Sequence, residues 1–256
     1  MRPIRCEFLI TEEIKVRSVL SKTGIPGRTY CINPYVGCAH ACRYCYATFM
    51  KRFTAHEEPW GGFVDVKTNA PEVLRTQMKR AQRGNVIISS VTDPYQPAER
   101  KYNITRKCLE VLTAYNFPVD ILTKSPLVLR DIDIISRLKN AEVGMTITTD
   151  DERIRRIFEP MAPPITARIN ALLKLHGSGI KTYVFIGPVL PMNPEALAGK
   201  IKPYVSSLII DRMNYITKVK WLYNKYDLEK WLDEEFIDEI IARLRKSFVG
   251  KDVEVC

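Results

Sequence analysis

Three closely spaced cysteines are the residues of this chain best suited to chemistry. Cys38, Cys42 and Cys45 form a C-x3-C-x2-C run in the segment Gly37-Cys-Ala-His-Ala-Cys-Arg-Tyr-Cys-Tyr46. Three thiolates can bind three corners of a 4Fe-4S cluster and leave one iron open to a small molecule, whereas electron carriers normally fill all four positions with protein ligands. The spacing therefore indicates an iron–sulfur site that carries out a reaction.

Two other interpretations of the cysteine run remain open. His40 or Cys31 could complete a zinc site, or two of the cysteines could form a disulfide. Zinc knuckles usually bring their ligands in two separated pairs, and no second C-x2-C or H-x3-H pattern follows in this sequence. The pattern favours the cluster over both alternatives.

Further motifs occur in order along the chain. They are Asn33–Tyr46, Val66–Leu74, Thr92–Glu99, Leu122–Ser125 and Leu129–Asp133. With these motifs, residues 28–215 resemble the radical S-adenosylmethionine (radical SAM) superfamily, and within it the branch related to spore photoproduct lyase, often labelled DNA repair photolyases. The resemblance implies an enzyme that reductively cleaves S-adenosylmethionine at a 4Fe-4S cluster, giving a 5′-deoxyadenosyl radical that abstracts hydrogen from a substrate.

The resemblance also suggests ligands for the cofactor. The amino and carboxylate groups of S-adenosylmethionine need a hydrogen-bond acceptor and a cation, and we expect Asp93 and Lys124 to supply them from the ends of predicted strands. Their alternative role is that of ordinary surface charges. Further candidate ligands are Tyr44 and Val189 for the adenine, and Thr146 and Thr148 for the ribose or carboxylate. Val189 could equally belong to the core, and the threonines to a strand.

Hydrogen transfer to the substrate is where this chain departs from the family pattern. Spore photoproduct lyases proper have a cysteine hydrogen donor three residues before the motif aspartate, where this chain has Ser90. A serine O–H bond is too strong to replace a thiol. Tyr44, Tyr46 and Tyr95 are the candidate catalytic residues that could relay a hydrogen atom. We therefore expect a divergent relative that acts on a nucleic acid or another molecule.

Apolar, β-rich runs alternate with amphipathic segments, which predicts βα units around a parallel sheet. Six strands are predicted, at Thr29–Pro34, Asn85–Val91, Val119–Thr123, Glu142–Thr148, Lys181–Ile186 and Ser207–Arg212. Helices are predicted at Ala70–Gln82, Thr105–Tyr115 and Pro164–His176. The expected fold class is α/β, a partial (β/α)6 barrel of the radical SAM type over residues 1–215, with the site at the carboxyl ends of the strands.

The region after Tyr215 has a different pattern. Ile216–Tyr223 and Leu228–Phe248 are predicted helices, and the second has an apolar face. We expect residues 216–256 to form a C-terminal helical extension that packs on the same domain. A role in covering the open edge of the sheet or in positioning substrate is the alternative to a purely structural one.

Composition bounds the cellular setting and the partners. The amino terminus lacks the apolar stretch of a signal peptide and no run of about 18 apolar residues occurs, so we expect a cytoplasmic protein with no membrane partner. A reducing compartment also keeps thiolates available for iron. Four further cysteines, Cys6, Cys31, Cys108 and Cys256, are scattered and are expected to be incidental.

The charge balance points to an anionic partner. The chain has 39 Lys and Arg against 29 Asp and Glu, a net charge of +10, which attracts phosphate backbones. Local basic sets are Arg75, Lys79, Arg80 and Arg83, and Arg153, Arg155 and Arg156. DNA or RNA is one expected partner, against the alternative of dispersed, solvated charge. The other expected partner is an electron donor such as ferredoxin or flavodoxin.

Three functions remain on the sequence alone. The first is a radical SAM enzyme that acts on DNA or RNA, and the second is one that acts on a small molecule or peptide. The third is a non-catalytic iron–sulfur or zinc protein that binds nucleic acid. Consumption of S-adenosylmethionine separates the third from the others, and salt-sensitive binding of nucleic acid separates the first two.

Overall fold

The computed structural model describes residues 9–256. Its strands are β1 (Ile10–Ile14), β2 (Leu20–Lys22), β3 (Tyr30–Ile32), β4 (Tyr35–Val36), β5 (Phe63–Lys67), β6 (Val86–Ile88), β7 (Val119–Thr123), β8 (Ala141–Thr146), β9 (Lys181–Ile186), β10 (Ser207–Ile210) and β11 (Asp252–Val255). Its α-helices are α1 (Ala70–Met78), α2 (Glu99–Tyr102), α3 (Ile104–Thr113), α4 (Ile132–Ile135), α5 (Glu152–Phe158), α6 (Ile165–Gly177), α7 (Pro194–Ile201), α8 (Ile216–Lys225) and α9 (Glu234–Ser247). Short 3-10 helices cover Tyr46–Phe53, Pro126–Asp131, Lys202–Tyr204 and Glu229–Leu232.

The main sheet has eight strands in the order β11-β10-β9-β8-β7-β6-β3-β2. All neighbours from β3 to β11 are parallel, and β2 pairs antiparallel with β3 at one edge. The six predicted strands are β3, β6, β7, β8, β9 and β10, with ends that differ by up to three residues from the predicted ones. The α/β prediction is confirmed, and within residues 9–256 the edge strands β2 and β11 do not pair with each other.

The strands form because they are apolar and lie between covering helices. Every residue of β6 is buried, as expected for a parallel strand with both faces packed. The main core contains side chains from β6 to β10 together with α1, α3, α6 and α7. Since the strands are parallel, their carboxyl ends meet at one edge, where their loops can build a site.

A second sheet of three strands, in the order β1-β5-β4, was not predicted. β1 pairs parallel with β5, and β4 pairs antiparallel with it. β4 lies just before the cysteine segment, so this sheet fixes the chain that enters the loop of Cys38.

The C-terminal region contains the two predicted helices and one unpredicted strand. The predicted helix Leu228–Phe248 is interrupted at Asp233, whose side chain accepts a 2.8 Å hydrogen bond from the backbone N–H of Phe236 and caps α9. β11 then pairs parallel with β10 at the sheet edge. The region therefore contributes to the main sheet as well as covering it.

Two predictions from the sequence concern the amino terminus and membrane-spanning helices. Cys6 and the rest of the amino terminus, to which the first of these predictions applies, lie outside the described residues. Among residues 9–256, none of the helices has both the length and the apolarity that crossing a membrane requires.

Candidate functional site

A cavity of about 220 Å³ opens at the carboxyl ends of the parallel strands. Its lining comes from the loop after β4 and from the ends of β6 to β10. The sequence-predicted residues that it brings together are Cys38, Cys42, Cys45, Tyr44, Tyr46, Asp93, Lys124 and Thr146. Thr148, Val189 and Tyr95 lie outside the lining.

The three motif cysteines line the same cavity. Burial raises the pKa of Cys38 and Cys45, and it raises that of Cys42 to about 12. Thiols in such surroundings lose their protons on binding a metal. All six described cysteines are free, so the disulfide alternative does not apply to them. The donor set of three convergent sulfurs fits an iron–sulfur cluster with one open iron.

Cys31 does not join this group. It is buried, lies outside the cavity lining, and its thiol contacts the Ser90 hydroxyl at 3.2 Å. His40 does line the cavity, but its Nδ1 atom lies 3.4 Å from an Asp93 oxygen. The geometry gives no support to a zinc site completed by Cys31.

Gly37 starts the cysteine loop at a position that only glycine can occupy. Its φ is +82°, and a Cβ atom there would lie 2.4 Å from the Phe63 carbonyl oxygen. The Gly37 carbonyl accepts hydrogen bonds from Thr92 Oγ1 at 2.6 Å and from Gln96 Nε2 at 3.2 Å. Gln96 also accepts the Ala39 N–H at 2.9 Å. The Thr92–Glu99 motif thus supports the cysteine loop, and Gln96 is a residue that the sequence analysis missed.

Asp93 connects two walls of the cavity. Its Oδ1 accepts hydrogen bonds from the Thr123 hydroxyl at 2.6 Å and the Tyr95 N–H at 2.9 Å, and its Oδ2 accepts the Lys124 N–H at 2.8 Å. Burial would raise the pKa of Asp93, but His40 and these donors lower it to about 2. Both oxygens therefore already have partners in the chain, and Asp93 holds the backbone that presents Lys124.

Lys124 projects into the cavity beside a buried ion pair. Its Nζ atom lies 3.8 Å from Glu159 Oε1, and Glu159 Oε2 receives a 2.5 Å hydrogen bond from Arg168 Nη2. Glu159 and Arg168 have no exposed side-chain surface. Burial would raise the pKa of Glu159, but the charges of Arg168 and Lys124 outweigh it and lower that pKa to about 2. Arg168 and Lys124 therefore keep the Glu159 carboxylate charged behind the cavity lining.

Glu159 also organises two predicted site residues. Tyr44 OH and Thr148 Oγ1 both donate to its Oε1, the latter at 3.1 Å. The backbone next to Glu159 is hydrogen-bonded to the cysteine loop. The Arg43 N–H donates to the Phe158 carbonyl at 2.9 Å, and the Met161 N–H donates to the His40 carbonyl at 3.3 Å. Sequence analysis missed Glu159 and Arg168, because neither lies in a recognised motif.

The remaining aromatic and apolar candidates are placed differently from one another. Tyr46 is 41% exposed at the cavity mouth and donates to the Ser90 carbonyl. Tyr95 is 1% exposed and packs in the main core, outside the cavity lining. Val189 also belongs to that core, and its N–H donates to the Asp211 carbonyl at 2.9 Å.

Two other sequence-based interpretations need correction or completion. Arg155 was expected in a surface basic set, yet it is buried and its guanidinium donates to the Glu159, Pro160 and Ala162 carbonyls. Glu99, the last residue of the Thr92–Glu99 motif, is fully buried and accepts the Thr105 N–H at 2.9 Å and an Arg130 hydrogen bond at 2.7 Å. Both residues hold the structure together and do not face the cavity.

Comparison with known sequences identifies the family. The profile of the Radical SAM superfamily matches residues 32–199. An uncharacterised protein of Methanocaldococcus jannaschii is 33% identical over 249 residues, which cover 93% of this chain and 94% of that protein. The radical SAM Nalpha-GlyT isomerase of Pseudomonas phage M6 is 25% identical over 160 residues, 62% of this chain and 32% of the isomerase.

Comparison with solved structures supports the same fold. Spore photoproduct lyase complexed with dinucleoside spore photoproduct superposes with a TM-score of 0.71 at 14% identity, over 96% of this chain and 82% of that one. A mutant of that lyase with bound AdoMet and the same dinucleoside gives a TM-score of 0.69 at 16% identity, over 96% of this chain and 81% of that one. The resemblance drawn from the motifs is thus confirmed, and the chain belongs to the radical SAM superfamily of enzymes.

Proposed function

We propose that the chain holds a 4Fe-4S cluster on Cys38, Cys42 and Cys45 and cleaves S-adenosylmethionine to act on a nucleic acid by hydrogen abstraction. The observation that carries this proposal is the convergence of three thiols and the Lys124 ammonium in one cavity at the strand ends. When bound, a reduced cluster supplies the electron that breaks the sulfonium bond of S-adenosylmethionine. A partner such as ferredoxin or flavodoxin is the proposed source of that electron, and a reducing, cytoplasmic compartment the proposed setting.

The residues of the chain then have separate tasks. Lys124 pairs with the cofactor carboxylate, because burial would lower its pKa but the Cys42 and Glu159 charges raise it and keep it protonated. Asp93 sets the position of Lys124 through the 2.8 Å hydrogen bond to its N–H. A direct contact of Asp93 with the cofactor amino group is a further proposal, as is one of Thr146, which lines the same cavity.

The adenine of the cofactor needs apolar surface with backbone groups at its edge. Leu122, Phe185 and Pro188 line the cavity and provide such surface, whereas Val189 lies behind them. Tyr44 lies beside Lys124, whose Nζ is 5.8 Å from the centre of its ring. We therefore assign Tyr44 to holding Lys124 and Glu159, with hydrogen relay left to Tyr46 at the mouth.

Two observations support a nucleic acid as substrate. The chain has a net charge of +10, and the structurally similar lyase binds a dinucleoside photoproduct. Repair of a thymine lesion by the thiol-donor route is not part of the proposal. Ser90, which stands at the motif position that the resemblance assigns to the donor thiol, lines the cavity, and the nearby Cys31 lies outside the lining.

The test of the proposed chemistry is anaerobic reconstitution with iron and sulfide. We expect about four irons per chain and reductant-dependent formation of 5′-deoxyadenosine from S-adenosylmethionine. Cys38→Ala, Cys42→Ala and Cys45→Ala should each abolish both, because each removes one cluster ligand. Cys108→Ala, at a buried free thiol away from the cavity, is the matched control and should retain both. Iron loss in Cys31→Ala or Cys256→Ala as well would refute the three-ligand assignment.

A further inference from the structure

The exposed aromatic side chains lie on two segments that both contribute to the lining of the cavity. Among the described residues, nine large apolar side chains are exposed, and the aromatic ones all lie on the 3-10 helix Tyr46–Phe53 or next to and within α8. We call this set the aromatic rim; its members are Tyr46, Phe49, Phe53, Tyr215 and Trp221. Single exposed apolar residues are normal, but five exposed rings on two segments, two of them in the cavity lining, indicate a binding surface.

The rim is continuous with the cavity. Tyr46 and Tyr215 both line it, and their rings stack with centroids 6.3 Å apart and an interplanar angle of 18°. The Phe49 ring, three residues later on the same 3-10 helix, has its centroid 6.4 Å from that of the Tyr46 ring. Lys218 connects α8 to the segment that carries Tyr46 and Phe49, because its Nζ donates to the Cys45 carbonyl at 2.8 Å and to Thr48 Oγ1 at 2.6 Å.

Positive charge accompanies the rings. Arg52 lies over Phe53 at 4.6 Å and over Phe49 at 5.5 Å, Lys218 over Tyr215 at 5.1 Å, and Arg43 over Trp221 at 5.8 Å. Residues 41–56 and 212–226 contain no Asp or Glu. Within the described part of the chain, Arg43 and Arg52 form no ion pair, in contrast to Arg106 and Arg130. These guanidinium groups can therefore pair with an anion from outside.

We propose that the aromatic rim binds a single-stranded nucleic acid, with bases stacked on the rings and phosphates paired with the flanking cations. This inference rests on the proposed function and narrows its substrate class. Flat rings alternating with cations match a strand whose bases are unstacked, since every base has a face that can stack on an aromatic side chain. In a duplex those faces are covered by neighbouring bases. One nucleotide of the bound strand then reaches from the aromatic rim into the cavity.

The test uses the reconstituted full-length protein and fluorescent oligonucleotides of about ten nucleotides, as single-stranded DNA, single-stranded RNA and duplex DNA. We expect tighter binding of single strands than of the duplex by fluorescence anisotropy, and the two single-stranded probes show whether DNA or RNA is preferred. Phe53→Ala and Trp221→Ala should each weaken the single-strand Kd by about tenfold. Phe53→Tyr should bind like wild type, because it restores a flat ring.

Matched controls come from other parts of the surface. Val249→Ala removes an exposed apolar side chain away from the rim and should leave the Kd unchanged. Arg52→Gln should reduce the slope of log Kd against log salt by about one, whereas Arg80→Gln, just after the end of α1, should not change it. Equal binding of duplex and single strand, or wild-type binding by Phe53→Ala and Trp221→Ala, would overturn the inference, and so would preference for a peptide of matched length.

The outcome separates the rim from the chemistry. Formation of 5′-deoxyadenosine without single-strand binding would leave the proposed enzyme intact and remove the rim as a nucleic-acid site. Ring-dependent single-strand binding without 5′-deoxyadenosine would establish the rim and refute the proposed cleavage.

Discussion

At the scale of single residues, the group below the cavity depends on one buried carboxylate. Glu159 accepts from Tyr44, Thr148 and Arg168 and lies 3.8 Å from Lys124 Nζ. Removing one partner of a buried ion pair leaves the other charge uncompensated, which costs more than losing an exposed pair. Glu159 therefore positions Lys124, the cation that we propose to pair with the cofactor.

We predict that Glu159→Gln lowers the free energy of unfolding by about 3 kcal/mol or more and weakens S-adenosylmethionine binding. Arg168 would lose its countercharge, and Lys124 would lose the group that holds it. Thermal unfolding and calorimetric titration measure the two effects. Glu195→Gln breaks an exposed pair with Arg243 and should change neither. Equal unfolding free energies and equal S-adenosylmethionine affinities in the two variants would contradict the proposed role of Glu159.

The sequence allowed part of this site to be predicted. Cys38, Asp93 and Lys124 were found because they lie in short motifs or directly after apolar strands, which local patterns reveal. Glu159 and Arg168 could not be found in this way, since charged residues normally lie on the surface and their burial depends on distant contacts. Tyr95 shows the opposite case, because it stands in the right motif but is packed in the core.

At the scale of elements, α8 connects the C-terminal region to the cysteine loop. Val219, Leu222 and Tyr223 of this helix form a buried cluster that includes Tyr44. Lys218, on the same helix, donates to the Cys45 carbonyl and to Thr48. The C-terminal region therefore supports the proposed cluster site in addition to covering the sheet.

We predict that Lys218→Met lowers the melting temperature by about 2–4 °C and speeds the loss of iron from reconstituted protein. The substitution keeps the apolar stem but removes both hydrogen bonds, for which about 1 kcal/mol is a typical loss. Iron release to a chelator, followed by absorbance, gives the second effect. Lys220→Met lies on the same helix at an exposed position and should match wild type. Identical release rates would show that α8 does not stabilise the loop.

Strands were predictable where the apolar run is unbroken, whereas β5 was missed, although it is mostly buried, because Asp65 interrupts its apolar residues. The six central strands are apolar runs, so their existence and order followed from the sequence. β11 was missed because Asp-Val-Glu-Val alternates charged and apolar residues at an edge, and β1 for a similar reason. The break at Asp233 was missed as well, because a capping side chain differs little from any other charge on an amphipathic helix.

At the scale of the whole molecule, the strand ends combine buried, paired carboxylates with a cationic rim. Asp93, in the cavity lining, and Glu159, behind it, are buried and charged, while Arg43, Arg52 and Lys218 lie over rings of the aromatic rim. The buried carboxylates link the stability of the entire fold to pH, because their pKa values differ between the folded and unfolded chain.

The last prediction concerns the response of the cluster-free fold to acid. Asp93 and Glu159 have folded pKa values of about 2, below the value of about 4 expected in the unfolded chain. Their contribution to stability is therefore fully present above pH of about 5 and is lost as the pH falls from about 4 towards 2. Asp120 has the opposite sign, since burial raises its pKa despite the Arg28 partner, so its contribution is lost as the pH rises through the raised value. In melting curves recorded at several pH values, Asp93→Asn should flatten the acid decline and Asp120→Asn should steepen it. Parallel declines in both variants and wild type would show that neither carboxylate controls the acid response.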